Sequence, residues 1–255
     1  MDQRHQPILN VPSVVVVLLA LLGIVHAVRE WLLTPDVDRA LVWSLAFVPA
    51  RYDAGALTDG ILPGGPGAEL WSFFSYALLH ADWMHLGFNA VWLLAFASPV
   101  ARRCGAPRFL MFFAVTIAAG ALGYLLAHAG ALAPMVGASA GISGMMGAAA
   151  RFAFEPGGSL AMWHGDRTNA DLVPAAPLFV ALRNPRVLTF VGVWFGLNLL
   201  FGLGSLGIDG SDQEIAWQAH IGGFLAGLLA FPLFDPVKTA RFGNTGGPEE
   251  KRATH

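Results

Sequence analysis

Ser139 and His220 are the residues on which chemistry can be built. Ser139 lies in the run Val136-Gly137-Ala138-Ser139-Ala140-Gly141-Ile142-Ser143-Gly144, and His220 in Trp217-Gln218-Ala219-His220-Ile221-Gly222-Gly223. Both runs are apolar and carry no formal charge. A serine hydroxyl at its ordinary pKa is a weak nucleophile and needs an adjacent base. An imidazole can take that proton and later return it to a leaving amine. Ionisable side chains are costly within a bilayer, so a histidine in a membrane segment points to function. Taken alone, Ser139 reads as a packing residue, because small residues are common where membrane helices touch. The elements that hold the two residues decide whether they meet.

The chain has 255 residues, of which 55% are hydrophobic and 13% charged. A soluble domain carries about 25% charged residues, so this is an all-α, polytopic membrane protein with short soluble parts. The net charge of -2, with no basic stripe, excludes a nucleic-acid partner. The lone Cys104, read as a small residue in a short loop, excludes an internal disulfide and a cysteine-rich metal site. No metal and no cofactor is expected, since zinc sites need three or four ligands.

A spanning helix needs about 20 largely apolar residues. The pattern predicts six, at 11–33, 83–101, 109–128, 137–154, 187–208 and 215–234, within a membrane domain of residues 11–235. Pro134 separates the third from the fourth. No small-residue cleavage site closes the first, which reads as an anchor. The stretch 40–50, bracketed by Arg39 and Arg51, is too short to span and is expected to lie in the interface or pack on the bundle. Residues 1–10 and 236–255 are cytoplasmic tails, the second expected to be disordered. The 156–186 loop shows no readable chemistry. Lys and Arg concentrate on the cytoplasmic side. With the N-terminus inside, twelve of the fifteen basic residues fall inside: Arg4, Arg102, Arg103, Arg108, Arg151, Arg167, Arg183, Arg186, Lys238, Arg241, Lys251 and Arg252. Arg29, Arg39 and Arg51 fall outside, with the acidic 209–214 loop. The absence of a targeting segment and the Ala- and Gly-rich composition point to a bacterial plasma membrane.

This topology places Ser139 near the outer end of the fourth span and His220 about a turn and a half into the sixth. His85 and Asn89 enter from outside on the second span, four residues apart and on one helix face. Four polar side chains therefore share an outer-leaflet layer. Such a layer supports acyl transfer, with Ser139 as nucleophile and His220 as general base and acid. The oxyanion of the tetrahedral intermediate needs preorganised donors. A helix N-terminus offers free backbone N–H groups, and His85 and Asn89 can add side-chain donors. No carboxylate lies near the layer, so a Ser139–His220 dyad is expected. Gly137, Gly141, Gly144 and Gly147 on the fourth span, and Gly223 and Gly227 on the sixth, allow close helix approach. His80 is expected to be interfacial or structural and His26 to pack. His5 and His255 belong to the tails, and His128 and His164 are assigned no role.

These residues resemble the rhomboid intramembrane serine proteases from about Trp71 to Phe234. Three motifs carry the resemblance, in order. His80-Ala81-Asp82-Trp83-Met84-His85-Leu86-Gly87-Phe88-Asn89 is similar to the family's two histidines followed by asparagine. Gly137-Ala138-Ser139 precedes Gly144 and Gly147 at the family's offsets, and Ala219-His220 precedes Gly223 and Gly227. The resemblance implies Ser139 as nucleophile, His220 as base and acid, and His85, Asn89 and the Ser139 backbone N–H as the oxyanion hole. It implies single-pass or multi-pass membrane-protein substrates, cut in the bilayer near their outer ends. It implies a partly membrane-embedded first external loop at 34–70 and substrate entry past the fifth span.

Three departures from the family pattern stand out. Ala140 occupies the usual glycine position after the serine, where its methyl is expected to crowd the oxyanion hole. Ser143 replaces a common aromatic residue that stacks on the catalytic histidine. Trp71-Ser72 replaces Trp-Arg, so a different anchor is expected for the external loop. Gly141-Ile142-Ser143-Gly144 also offers Ser143 as a rival nucleophile, but that register leaves the Gly144 and Gly147 offsets unmatched. The alternative function is a non-catalytic relative that binds and routes transmembrane helices.

Overall fold

The structure, a computed structural model, describes residues 11–53, 62–161, 167–202 and 216–237. The 1–10 tail, the 209–214 loop and most of the 236–255 tail lie outside the described residues, as do Arg4, Lys238, Arg241, Lys251, Arg252, His5, His164 and His255. The described residues form an all-α membrane bundle. It contains α1 (Ser13–Leu32), α2 (Pro35–Leu45), α3 (Ala68–Ser75), α4 (Trp83–Cys104), α5 (Ala106–Ala127), α6 (Ser139–Phe152), α7 (Pro185–Gly202) and α8 (Trp217–Phe234). Helices α1, α4, α5 and α8 are each long and apolar enough to cross a membrane. Helix α7 has 18 residues and α6 has 14. Cys104 closes α4 as a buried helical residue, where a loop position was expected.

Helix α6 is the axis of the bundle, with every residue from Ala140 to Phe152 buried. It starts at Ser139, two residues later than expected, because Gly137 sits at φ +119°, outside the helical region. Its glycines set the packing. A methyl on Gly223 would overlap the Ala140 carbonyl oxygen, and one on Gly227 the Gly144 carbonyl. On the facing side, a methyl on Gly147 would come within 2.8 Å of the Leu228 nitrogen. Helix α8 also meets α5, where a Cβ on Gly222 would stand 2.6 Å from the Ala119 carbonyl oxygen. Helix α8 therefore packs backbone to backbone against both α5 and α6.

Two sets of polar contacts tie the ends of this core. At one end, the buried Arg103 makes two 2.8 Å hydrogen bonds to Asp235, donates to the carbonyls of Asp171 and Val173 at 2.7 Å, and lies over the Phe152 ring. Arg151 donates to the Ala176 and Leu228 carbonyls at 2.9 Å. At the other end, Phe47 and Met135 exchange backbone hydrogen bonds of 3.1 and 2.8 Å. Ala46, Phe47, Val48 and Ala50 are fully buried, so the short apolar stretch packs on the bundle. The segment between α2 and α3 is pinned by Arg51, which donates to the Trp43 carbonyl and, at 2.7 Å, to the Pro63 carbonyl. Trp71 Nε1 donates to the Ser44 carbonyl at 2.9 Å. Tyr52 donates to the Glu69 carbonyl at 2.8 Å and lies 3.0 Å from the Ser72 hydroxyl. Burial holds the Tyr52 phenol above its usual pKa, so it remains a neutral hydroxyl. Arg51 thus supplies the loop anchor that Ser72 cannot.

Candidate active site

Ser139 is the first residue of α6 and His220 lies in the first turn of α8. The α6–α8 glycine seam brings their side chains together, and the Ser139 hydroxyl lies 2.7 Å from His220 Nε2. The other imidazole nitrogen, Nδ1, meets Asn198 Oδ1 at 2.5 Å. Asn198 comes from α7, and its Nδ2 donates to the Trp194 carbonyl at 2.8 Å. That bond fixes the amide orientation, because only the nitrogen can donate to a carbonyl. Its oxygen must then accept, so Nδ1 carries the imidazole proton. Nε2 is left with a lone pair aimed at the serine hydroxyl, the tautomer a general base requires. Ser139 and His220 are both half-buried.

His85 approaches from α4. The Ala81 N–H reaches its Nδ1 at 3.5 Å, a weak bond that favours a proton on Nε2. That Nε2 faces the serine loop: a Cβ on Gly137 would sit 2.8 Å from it and 3.6 Å from Ser139 Oγ. Gly137 therefore meets two demands at once, a left-handed φ and room for the imidazole, and helix packing is not among them. The loop is held from below by the Gly137 N–H, which donates to the Tyr76 carbonyl at 3.0 Å, while the Tyr76 hydroxyl donates to the Ile117 carbonyl at 2.8 Å. Asp82 caps α4 by accepting the His85 backbone N–H at 2.7 Å. Asn89 is buried one turn further along, where its amide donates to the His85 carbonyl at 2.9 Å and keeps a second N–H. The N–H groups opening α6 have no intrahelical acceptor, since the ladder begins with the Ile142 N–H donating to the Ala138 carbonyl at 3.1 Å.

The departures acquire physical meaning here. The Ala140 methyl points at Gly120 on α5, filling space that the missing Cβ leaves open. Ser143 is buried, and its hydroxyl donates to the Ser139 carbonyl at 2.8 Å. His80 is fully buried and edge-on to His85, with ring centroids 5.1 Å apart. His26 packs edge-on to Trp83 at 4.6 Å, and His128 stacks on Tyr124 at the end of α5. Among the described residues, no cluster of three or more His, Cys, Asp or Glu can hold a metal ion.

The Rhomboid domain model matches residues 67–235, which span α3 to the end of α8 and include each of these polar residues except His26. The chain belongs to the rhomboid family. No curated protein matches it. In this rhomboid, two residues near the site escape the sequence reading. Asn198 is no carboxylate, although a carboxamide inside an apolar run is itself a signal. Tyr76 carries no such signal, because nothing in its sequence surroundings marks its hydroxyl as buried.

Proposed function

We propose that this rhomboid is an intramembrane serine endopeptidase that cuts transmembrane helices near the outer leaflet. The single observation that carries the reading is the chain of contacts from Ser139 through His220 to Asn198, whose amide orientation argues for a proton on Nδ1 and leaves Nε2 as base. Ser139 Oγ attacks a backbone carbonyl of the substrate while Nε2 takes the hydroxyl proton. The resulting oxyanion is met by the Ser139 backbone N–H, the His85 Nε2–H and the free N–H of Asn89. Collapse expels the amine, which receives the proton from His220 and leaves an acyl-serine. Water, deprotonated by the same nitrogen, then releases the acid and restores the serine. No cofactor enters.

The substrates are single-pass or multi-pass membrane proteins, met within the bilayer. The enzyme sits in a bacterial plasma membrane with both termini cytoplasmic. The test is proteolysis of a single-span model substrate by purified protein in detergent, with the cut site mapped by mass spectrometry. Cleavage is expected in the outer part of the span, and it should vanish in Ser139→Ala and His220→Ala. Binding of the substrate without cleavage supports instead a helix-binding relative, the reading that Ala140 and Ser143 keep open. The Ala140 methyl pointing at Gly120 weighs against it.

A further inference from the structure

We propose that Asn198 is the positioning residue of His220, and that it makes the orientation of the base depend on α7 being docked. The consequence for catalysis rests on the protease reading, whereas the effect on the imidazole does not. Ser139 and His220 are both carried by the core in which α8 touches α5 and α6 backbone to backbone. The acceptor for His220 Nδ1 comes from outside that core. Helix α7 adjoins α8, and it presents Leu188, Val193, Phe195 and Leu197 outward. Its inner face is held by rings. Trp194 stacks on Phe224 of α8 at 4.5 Å, and Phe190 meets Phe96 of α4 at 5.5 Å and Phe154, just beyond α6, at 5.1 Å. Phe190, Trp194 and Asn198 recur every four residues and so share one face. Undocking that face withdraws the amide oxygen from Nδ1.

Nothing else among the described residues selects the tautomer. Ser143 stands one turn after the serine, and its hydroxyl is committed to the Ser139 carbonyl. Without Asn198, the imidazole can place its proton on Nε2, where it cannot serve as base. Loss of α7 docking would therefore release the orientation of the base, and re-docking would restore it.

Two measurements on the full chain in micelles test this. The first is the ¹⁵N spectrum of histidine-labelled protein, with His220 assigned by its loss in His220→Ala. In the wild type, Nδ1 should be protonated and Nε2 bare, and Asn198→Ala should shift the pair towards exchange between tautomers. The second is the rate of Ser139 labelling by a small fluorophosphonate, which needs no helix entry. Asn198→Ala should slow it about three- to tenfold, the effect of one ordinary hydrogen bond. Phe190→Ala should slow it comparably in the wild-type background and add nothing in Asn198→Ala. Leu199→Ala, on the outward side, should leave it unchanged. An unaltered His220 tautomer in Asn198→Ala overturns the positioning role. A Phe190→Ala effect that persists in full alongside Asn198→Ala overturns the dependence on docking. Wild-type protein that takes no label overturns the protease reading instead, and the ¹⁵N comparison still decides the role of Asn198.

Discussion

At the scale of the residue, the hydroxyls of Ser139 and Ser143 are four positions apart on one helix yet have opposite fates. Ser139 Oγ meets an imidazole nitrogen, whereas Ser143 Oγ is spent on a backbone carbonyl of its own helix. Ser143→Ala should therefore keep fluorophosphonate labelling of Ser139 within about threefold of wild type, because the hydroxyl it removes is bonded to the backbone and not to His220. Asn89→Ala should lower kcat by about 10²–10³ and leave KM nearly unchanged, as expected for a donor used in the transition state. Steady-state cleavage of the model substrate reads both parameters. Ser139, His220, His85 and Asn89 were visible in the sequence because polar groups in apolar spans stand out. The direction of the Ala140 methyl was not, since it depends on the rotation of α6 against Gly120. Asn198 stands out in the same way as those four, but its role does not, because that lies in which nitrogen of another residue it meets.

At the scale of the element, glycine spacing alone does not identify a contact. Gly223 and Gly227 on α8 are four apart, and so are Gly192 and Gly196 on α7. The first pair lies against the backbone of α6, while the second has open space around both positions. Gly227→Ala should therefore lower stability by about 1–3 kcal/mol, the usual cost of overpacking, and should slow Ser139 labelling by parting the seam. Gly196→Ala should be tolerated, and thermal unfolding in detergent separates the two. Helices α1, α4, α5 and α8 stand where the sequence has long apolar runs. The late start of α6 was not legible, because it follows from the positive φ of Gly137, a position where His85 leaves no room for a Cβ. Nor did the sequence reveal Arg51 as the loop anchor, since its acceptors are backbone carbonyls brought near only by folding.

At the scale of the whole molecule, Arg103 and Arg151 have a second role beside any effect on orientation. Both are buried and hold together segments distant in sequence. Arg103→Ala would leave the Asp235 carboxylate buried without its cation, and should cost about 3–5 kcal/mol, read as a large drop in thermal stability. Arg39→Ala, whose partner Asp36 is largely exposed, should have little effect. The core that Arg103 closes at one end carries the Ser139–His220 pair at the other. The most direct measurement of whether that pair is a working nucleophile and base is intact-mass spectrometry after exposure to a fluorophosphonate. A single adduct is predicted in the wild type and in Ser143→Ala, mapped by peptide analysis to Ser139, with none in Ser139→Ala or His220→Ala. An adduct that persists in Ser139→Ala, or a wild type that takes none, would contradict the account.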